Sequence, residues 1–232
     1  MMDCISVENM RRSDAWTIAN FVPSLELMHR AAWGVYLAHE WTSPVAIVAG
    51  SGNNGGDGFA LACILREKGI ECSVFTLSFR LSEDSRFYAE KAIAAGIPVR
   101  SFEDNCLDGF RTVVDCLLGT GFLGTPREDY RAAINAINAA HAFVVSVDIN
   151  SGMNGDTGDA ETAVYSDLTV TIGFVKNGLV TENAGKHMKR LVCADIGIQL
   201  VEEENKICGP DVWQEGCLRC PTWLDMAVIR TC

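Results

Sequence analysis

Three stretches of the sequence combine acidic and hydroxyl side chains with glycine, two of them also with asparagine, and each stands at or just after the end of an apolar run. They are Ser51–Gly58, Asp115–Pro126 and Val147–Gly152. Carboxyl groups can carry protons, and oxygen-bearing side chains can together bind a hard cation. Asp148 is the sharpest single candidate, because apolar residues flank it and an unpartnered charge there would be costly.

Each stretch also has a plain structural interpretation. Asn-Gly and Gly-Gly pairs are ordinary turn sequences, and Asp115 or Asp148 could simply accept hydrogen bonds from turn amides. Three such stretches at successive strand ends nevertheless favour a functional site over three unrelated turns.

The first stretch is typical of a turn between a strand and a helix. Gly50, Gly52 and Gly55 have the G-x-G-x-x-G spacing of dinucleotide-binding turns, in which the helix N-terminus can hold a phosphate. That pattern also calls for an acidic residue at the end of the second strand, to bind the ribose. Here the second apolar run, Cys72–Leu77, continues into serine, phenylalanine and Arg80. A conventional nicotinamide dehydrogenase is therefore disfavoured.

Hydrophobic periodicity predicts the elements that would position these side chains. Apolar runs alternate with helical patterns, which predicts a Rossmann-like three-layer α/β/α sandwich with a mostly parallel central sheet. The carboxyl ends of such strands gather at one edge, so the three stretches should meet there. The predicted strands are Val45–Ala49, Cys72–Leu77, Val99–Phe102, Val113–Leu118, Phe143–Ile149, Leu168–Ile172 and Leu191–Ile196. The predicted helices after the first strand are Gly58–Lys68, Glu83–Ala95, Arg127–Ala140 and Asn177–Gly185.

Two N-terminal helices are predicted before the first strand. Ser13 and Asp14 can cap a short helix that runs through Trp16 and Ile18, and Pro23-Ser24 can open a second one. The second helix carries an apolar face that must pack on something. The pair of helices is a plausible homodimer surface.

Composition and charge exclude several classes of protein. The 232 residues are 48% hydrophobic and 21% charged, which fits one globular α/β domain and excludes disordered and fibrous chains. The formal net charge of −11 argues against partners that carry the same sign of charge. We therefore expect neither nucleic-acid binding nor membrane binding.

The N-terminus and the cysteines indicate the compartment. Met1–Ser13 lacks the apolar core of a signal peptide, and no apolar run is long enough to span a membrane. Cysteines inside apolar elements, such as Cys63 and Cys116, are best explained as buried free thiols in a reducing environment. A cytoplasmic location is expected. The four cysteines near the C-terminus fit no common zinc spacing: Cys208, Cys217, Cys220 and Cys232.

The order of these motifs resembles the NAD(P)H-hydrate epimerases, also known as the YjeF N-terminal domain family. The motifs are Ser51–Gly58, which is the most specific, then Asp115–Gly121, Val147–Gly152 and Asp156–Gly158. The resemblance predicts an epimerase domain over residues 10–200 and a divergent C-terminal tail over 201–232. No stretch resembles the second, dehydratase domain that many members of the family carry.

The resemblance implies an isomerase that interconverts the R and S forms of hydrated NADH and NADPH, which differ at C6 of the nicotinamide ring. Such an enzyme takes part in nicotinamide-cofactor repair and would rely on a separate dehydratase that consumes the S form. The implied dinucleotide site consists of Asn53, Asn54, Gly55, Gly56, Asp57, Gly119, Thr120, Gly121, Phe122, Leu123, Gly124, Thr125 and Asp148. The implied potassium ligands are Asn54, Asp115 and Ser151. Potassium prefers oxygen ligands, which agrees with these residue types.

Epimerisation at C6 requires the hydroxyl to leave with a proton and water to return on the opposite face. At least one positioned acid or base is therefore needed, and we expect Asp148 to fill this role. Lys176 is either a second proton carrier, a phosphate contact or a solvated loop lysine. Asn150 stands where the family has proline, between Asp148 and Ser151, and frees a backbone angle that proline would fix.

The main alternative is a non-catalytic dinucleotide-binding or dimerising scaffold, because the same type of domain also serves such roles. The presence of all the implied ligands, which a scaffold does not need, favours the enzyme. The choice between hydrated NADH and hydrated NADPH stays open. Arg80 could contact a 2′-phosphate or could simply decorate a loop.

Overall fold

The structure is a computed structural model that describes residues 2–208, 217–219 and 225–230. Its strands are β1 Met2–Ile5, β2 Val45–Ala49, β3 Cys72–Thr76, β4 Val99–Ser101, β5 Thr112–Cys116, β6 Phe143–Val147, β7 Leu168–Ile172, β8 Val175–Lys176, β9 Arg190–Asp195, β10 Asn205–Cys208, β11 Cys217–Arg219 and β12 Asp225–Arg230. Its α-helices are α1 Val7–Asn20, α2 Ser24–Leu37, α3 Asn53–Glu67, α4 Glu83–Ala94 and α5 Glu128–Ala139.

Eight strands form one sheet in the order β12-β9-β7-β6-β5-β2-β3-β4, and every neighbouring pair is parallel. The chain builds outward from β2 to β4 on one side, then returns to β5 on the other side of β2. The sheet therefore has a topological switch point between β2 and β5, where ligands of such sheets bind. The motif-bearing stretches follow β2, β5 and β6, so the prediction that they meet at one edge is confirmed.

The two faces of the sheet are covered by different helices. Along β2, Val45 and Ile47 belong to the core shared with α2, α3 and α4, whereas Ala46 and Val48 belong to the core shared with α5. Alternation with period two is what places one strand in both cores. The predicted three-layer α/β/α sandwich is confirmed.

The apolar face of α2 is buried within the subunit. Leu27, Met28, Ala31 and Val35 pack into the same core as α3 and the sheet. The apolar face of α2, which was considered above as part of a homodimer surface, is therefore not at the surface of the subunit. The large exposed apolar residues of the two N-terminal helices are Trp16, Ile18 and Phe21 on and just after α1, and Leu37 at the end of α2.

A second, smaller sheet has the order β11-β10-β1-β8, and the sequence analysis did not predict it. The first strand, β1, pairs antiparallel with β10 and parallel with β8. The described parts of segment 201–230 thus pair with the rest of the chain, and β12 extends the large sheet by pairing with β9. Two of the four C-terminal cysteines considered above, Cys220 and Cys232, lie outside the described residues, as do Trp213 and Trp223 of the same segment.

Two predictions about helices are wrong, namely the start of α1 and the helix over 177–185. Helix α1 begins at Val7, not at Ser13, because Ser6 caps it by accepting a hydrogen bond from the amide of Asn9. Ser13 instead faces inward, where its hydroxyl accepts a hydrogen bond from the amide of Val201. The predicted helix over 177–185 is also wrong, since two short 3₁₀ turns occupy that segment.

Helix α3 begins at Asn53, five residues before the predicted start at Gly58. The glycine pair in this segment was assigned to a turn because Gly-Gly is an ordinary turn sequence. Packing overrides that preference, since a Cβ on Gly56 would lie 2.6 Å from the terminal methyl of Met28. The implied substrate residues Asn53–Asp57 therefore form the first turn of a helix and the start of its second turn.

Within the part of the chain that the structure describes, no helix combines the length and the apolar character needed to cross a bilayer. Six described cysteines are free thiols, and five of them are buried: Cys4, Cys63, Cys72, Cys116 and Cys193. The expectation of buried free thiols is confirmed for these residues.

Candidate functional site

Close backbone contacts hold the first turn of α3 against the end of β5. A Cβ on Gly50 would lie 2.0 Å from the carbonyl oxygen of Leu117, and a Cβ on Gly55 would lie 2.1 Å from that of Gly50. Neither position can take a side chain. Nothing lies within 4 Å of a Cβ built on Gly52. Two of the three glycines of the fingerprint thus serve backbone packing at the switch point.

A cavity of about 160 Å³ opens beside this turn, between the N-terminal helices and the carboxyl edge of the sheet. Its polar lining includes Arg11 and Asp14 from α1, Asp57 from α3, Asp148 after β6 and Lys176 from β8. Apolar residues of α2 and of the sheet close its floor. A cavity of this size can hold one substituted ring, but not a whole dinucleotide.

Asp148 occupies a strained turn directly after β6. Its φ is +69°, in the left-handed region that residues other than glycine rarely adopt. The amide of Ile149 donates to the carbonyl of Val147 across it, and the amide of Asp148 itself donates to Val170 on β7. Such strain persists only where neighbouring contacts impose it, and it is concentrated at functional sites. Here it turns the carboxylate of Asp148 toward the cavity.

Lys176 is buried, with only 1% of its side chain exposed. Its ammonium group lies 2.5 Å from Oδ1 of Asp148 and also donates to the hydroxyl of Thr171 and the carbonyl of Ile172. The small sheet fixes its position, because Ile5 of β1 pairs with Lys176. The alternative of a solvated loop lysine is therefore wrong.

The pair keeps Asp148 ionised. Burial by itself raises the pKa of the Asp148 carboxyl, but Lys176 and the amide of Thr120, which donates to Oδ2, outweigh burial. The net result is a pKa below the ordinary value of an aspartate. Asp148 is thus a carboxylate, not a neutral acid, at neutral pH.

Two further acids face the same cavity without such support. Asp57 and Asp14 are half-buried, and neither has a hydrogen-bond or ion-pair partner among the described residues. Burial, followed by the charges of Asp148 and Asp14, raises the pKa of Asp57 well above its ordinary value. Burial, followed by the charge of Asp148, also raises the pKa of Asp14. The cavity therefore combines one stabilised carboxylate with two acids that resist ionisation.

A second carboxylate, Asp115, lies fully buried at the end of β5. It accepts hydrogen bonds from the hydroxyl and amide of Ser151, the hydroxyl of Ser146 and the amide of Leu117. Burial raises the pKa of Asp115, and these donors offset part of that rise. The structure thus brings Asp115 and Ser151, two of the three implied potassium ligands, into direct contact.

The third implied ligand, Asn54, is buried, and neither its Oδ1 nor its Nδ2 has a hydrogen-bond partner among the residues that the structure describes. It packs against the loop after β5, because a Cβ on Gly119 would lie 3.3 Å from the Cβ of Asn54. No direct hydrogen bond joins Asn54 to Asp115 or Ser151. An unpaired buried amide oxygen is costly without a partner. This chain's oxygen donors therefore fit a hard cation such as potassium.

The other implied substrate residues divide into two groups. Asn53 lines the cavity and accepts a hydrogen bond from Ser82, the N-cap of α4, while Thr120 lines it beside Asp148. A Cβ on Gly119 would lie 3.0 Å from Oδ2 of Asp148. The rest of the loop, Gly121, Phe122, Leu123, Gly124 and Thr125, does not line the cavity. Gly124 borders a separate hollow of about 530 Å³.

Asn150, the departure from the family's proline, is fully buried and anchors the turn. Its Nδ2 lies within hydrogen-bond distance of the carbonyls of Val164 and His187 and the hydroxyl of Ser166. Its Oδ1 accepts a hydrogen bond from Thr169. These side-chain bonds fix the turn where proline would have fixed the backbone.

Arg11 and Asp14 were not predicted from the sequence as cavity residues, and Asp14 was considered only as a helix cap. Their spacing of three on a helix, which puts them on one face, was the available signal. The late predicted start of α1 concealed that face. In the structure, Arg11 also donates to the carbonyl of Gly121, which joins α1 to the loop after β5.

The parallel sheet, the glycine-lined start of α3 and the acidic cavity at the switch point define a Rossmann-like α/β protein with a cavity at the carboxyl edge of its sheet. A sequence model described as "YjeF-related protein N-terminus" matches residues 24–178, and the chain belongs to this family. The resemblance drawn from the motifs is thereby confirmed.

Individual relatives agree. The chain is 37% identical over 199 residues to an "NAD(P)H-hydrate epimerase" of Limosilactobacillus fermentum, which covers 82% of this chain and 95% of that protein. It is 35% identical to a "Bifunctional NAD(P)H-hydrate repair enzyme Nnr" of Archaeoglobus fulgidus, which covers 90% of this chain but 44% of that longer protein. The crystal structure of yeast ynu0 has the same fold, with a TM-score of 0.69 at 22% identity over 81% of this chain and 86% of that one.

Proposed function

We propose that this protein is an isomerase that interconverts the R and S forms of hydrated NADH and NADPH at C6 of the nicotinamide ring. The observation that carries the proposal is the ionised Asp148, paired with buried Lys176 and facing a ring-sized cavity. Relatives named as NAD(P)H-hydrate epimerases, which match most of the chain, support the same assignment.

The proposed binding mode follows from the size of the cavity. The hydrated ring enters the cavity, and the diphosphate lies outside it, along the free amides at the start of α3. Asn53–Asp57 and Gly119–Thr125 flank that path. Arg11 supports the binding of an anion there, because it lines the cavity mouth and no described carboxylate pairs with it.

Asn54, Asp115 and Ser151 would hold a potassium ion beside this path. The unpartnered amide of Asn54 supports the assignment, since it needs an electropositive partner. When bound, the ion would supply positive charge that offsets the repulsion between the nearby acids and the diphosphate.

In the proposed reaction the C6–O bond breaks, and the hydroxyl leaves as water once it receives a proton. The lone pair of the ring nitrogen forms a C=N bond and leaves positive charge on the ring. Asp148 stabilises that charge, because it stays ionised in a largely water-free site. Water then adds to the opposite face of C6, and Asp148 accepts the proton that this water loses.

The proposal extends to partners and location. A separate dehydratase would consume the S form, which the bifunctional relatives support because their names join hydrate repair in one chain. The buried free thiols support a reducing, cytoplasmic location. A homodimer would use the exposed apolar residues on and just after α1, namely Trp16, Ile18 and Phe21.

In the test, the purified S form of hydrated NADPH is incubated with the protein in potassium buffer. Formation of the R form is measured by chromatography. The pH is kept high enough for spontaneous epimerisation to be slow. Conversion above the blank by the wild type, with a loss of roughly 10²-fold or more in Asp148→Asn, is expected. Asparagine also tolerates the left-handed backbone at this position, so the turn should survive. Tight NADPH binding without conversion would instead indicate the scaffold function.

A further inference from the structure

Both carboxylate oxygens of Asp148 are engaged by donors, Oδ1 by Lys176 and Oδ2 by the amide of Thr120. A carboxylate held in this way can accept a proton, but it has none to give at the start of a turnover. Lys176 donates its three protons to Asp148, Thr171 and Ile172. The proton that the leaving hydroxyl needs must therefore come from another group at the cavity.

Asp57 is the group best placed to supply that proton. It lies in the second turn of α3, between Gly56 and Gly58, both of which are buried. A Cβ on Gly58 would lie 2.9 Å from the Cβ of Cys116 and 3.0 Å from Ile47, so the helix is fixed against the sheet at this point. The carboxyl group of Asp57 lines the cavity and has no described partner. A rigid element thus presents a free carboxyl group to the ligand site.

Charges from every side of the cavity act on Asp57. Asp14 and Arg11 lie on α1, Asp84 on α4, Asp148 after β6 and Lys176 on β8. Acids outnumber cations, and Lys176 is already paired with Asp148. Burial, followed by the charges of Asp148 and Asp14, raises the pKa of Asp57 well above that of an ordinary aspartate. Two carboxyl groups whose surroundings separate their acidities are suited to act as acid and base of one reaction.

Building on the proposed epimerase function, we propose that Asp57 is the proton donor for departure of the C6 hydroxyl, and that it forms an acid–base pair with Asp148 across the cavity. The proton of Asp57 passes to the hydroxyl oxygen, the C6–O bond breaks, and water and the ring cation form. Water adds at the other face of C6, and its proton goes to Asp148. The proton then returns to the Asp57 carboxylate through the released water, which restores both groups.

Asp14 is the rival for this role, because it also lines the cavity and has no described partner. Asp57 lies between two buried glycines whose Cβ positions would meet neighbouring side chains, whereas one chain neighbour of Asp14, Ala15, is exposed. We therefore assign the proton to Asp57.

The test compares Asp57→Asn, Asp57→Glu and Asp14→Asn with the wild type. An exposed acid in the first turn of α4 provides a matched control, Glu83→Gln. Four quantities are measured: kcat and KM for epimerisation across pH, the Kd for NADPH, and the melting temperature. The wild-type rate should fall as pH rises through the pKa of Asp57, because the acid form is required.

Asp57→Asn should lower kcat by roughly 10²- to 10⁴-fold, leave the Kd for NADPH within about threefold, and abolish the fall at high pH. Asp57→Glu should keep part of kcat, which shows that a carboxyl group and not merely a filled volume is needed. Asp57→Asn should also melt higher than the wild type near neutral pH, because it removes an acid that is costly to ionise in the folded state. Glu83→Gln should match the wild type.

Two results would overturn the role of Asp57 and leave the proposed function standing. One is a wild type that converts the epimers while Asp57→Asn converts them equally well. The other is loss of kcat in Asp14→Asn alone. If the wild type converts neither epimer, the proposed function fails, and the role of Asp57 is rejected with it.

Discussion

Asp148 and Lys176 illustrate how one residue's conformation is set by contacts distant in sequence. Asp148 adopts a positive φ because β7 holds its amide and Lys176 and Thr120 hold its carboxylate. Lys176 in turn is held by β8, and β8 by β1. The buried ion pair positions groups of the site but adds little net stability. The attraction between the two charges is largely offset by the cost of removing both from water.

Replacing Lys176 by methionine tests the pair through its pH dependence. Loss of the ammonium group should raise the pKa of Asp148, so the acid limb of the pH–rate profile should move to higher pH. The folded-state pKa of Asp148 lies below its unfolded value, so the pair's stabilisation is present above the unfolded pKa and lost as pH falls through the folded one. Unfolding at neutral pH should become easier by about 3–5 kcal/mol, because one buried charge is left uncompensated.

The measurements are kcat/KM between acidic and neutral pH, and urea unfolding at two pH values. Lys189→Met is the matched control, because that lysine pairs with Asp167 at the surface. An unchanged acid limb in Lys176→Met would contradict the assigned effect on Asp148.

Removal of potassium tests the three proposed ligands of the ion, Asn54, Asp115 and Ser151. Exchange of potassium for tetramethylammonium, which is too large for a cluster of oxygen ligands, should lower both the epimerisation rate and the melting temperature. In Asn54→Ala the two salts should give the same melting temperature, because the unpartnered amide oxygen is gone. Equal wild-type behaviour in the two salts at matched ionic strength would reject the ion.

At the scale of elements, the turn after β6 depends on one side chain. Asn150 connects this turn to Val164, Ser166, Thr169 and His187 through its amide. The sequence analysis noted only that proline was missing and expected a freer backbone. In the structure the backbone of the turn is held in place, because the side-chain hydrogen bonds of Asn150 replace the constraint that proline would put on φ.

Asn150→Ala should therefore destabilise the protein by about 1–3 kcal/mol, since it leaves buried polar partners without hydrogen bonds. Chemical denaturation measures this change. Asn150→Pro should not restore stability, although it would match the family, because it loses the same bonds. A proline variant as stable as the wild type would show that the amide contacts contribute little.

Features of the fold could be predicted from the sequence where neighbouring residues determine them, but not where contacts distant in sequence do. Strands β2 and β7 have the predicted bounds because their apolar runs end in unmistakable turn residues. The start of α3 was misplaced because Gly55 and Gly56 were assigned to a turn, and the contacts that require glycine there exist only in the folded chain. Strand β1 was missed because its partners lie 170 or more residues away, at Val175 and Asn205.

The candidate site was predictable to the extent that motifs carried it. Asp115 and Ser151 come into direct contact as the resemblance implied, and Asp148 faces a cavity. The pairing of Asp148 with Lys176 could not be read from spacing, since it needs β8 to run beside the end of β7. The different surroundings of Asp57 and Asp148 likewise exist only in the folded chain.

At the scale of the whole molecule, the segment after residue 200 completes both sheets. Strand β10 covers β1, β12 covers β9, and the amides of Gln199 and Val201 donate to hydroxyls of α1. The domain expected over 10–200 is therefore joined at both ends to strands outside it.

Truncation after Glu204 should lower the melting temperature by roughly 2–4 °C for each kcal/mol lost. Hydrogen exchange should rise in β9 and β1, which lose their outer partners, and not in β2 at the centre of the sheet. Truncation after Cys208, which keeps β10, is the matched control and should protect β1. Native exchange rates in β9 of the shorter variant would show that β12 adds no protection.

The pairing of β1 has a consequence for how the enzyme folds during its synthesis on the ribosome. Residues 2–5 are synthesised long before their partners, which are Val175–Lys176 and Asn205–Ile207. The glycine turn and the strands around β2 can assemble while synthesis continues, but β1 has no parallel partner until Lys176 has been added. The contact between Lys176 and Asp148 can therefore form only after synthesis has passed residue 176, and a nascent chain interrupted earlier lacks it.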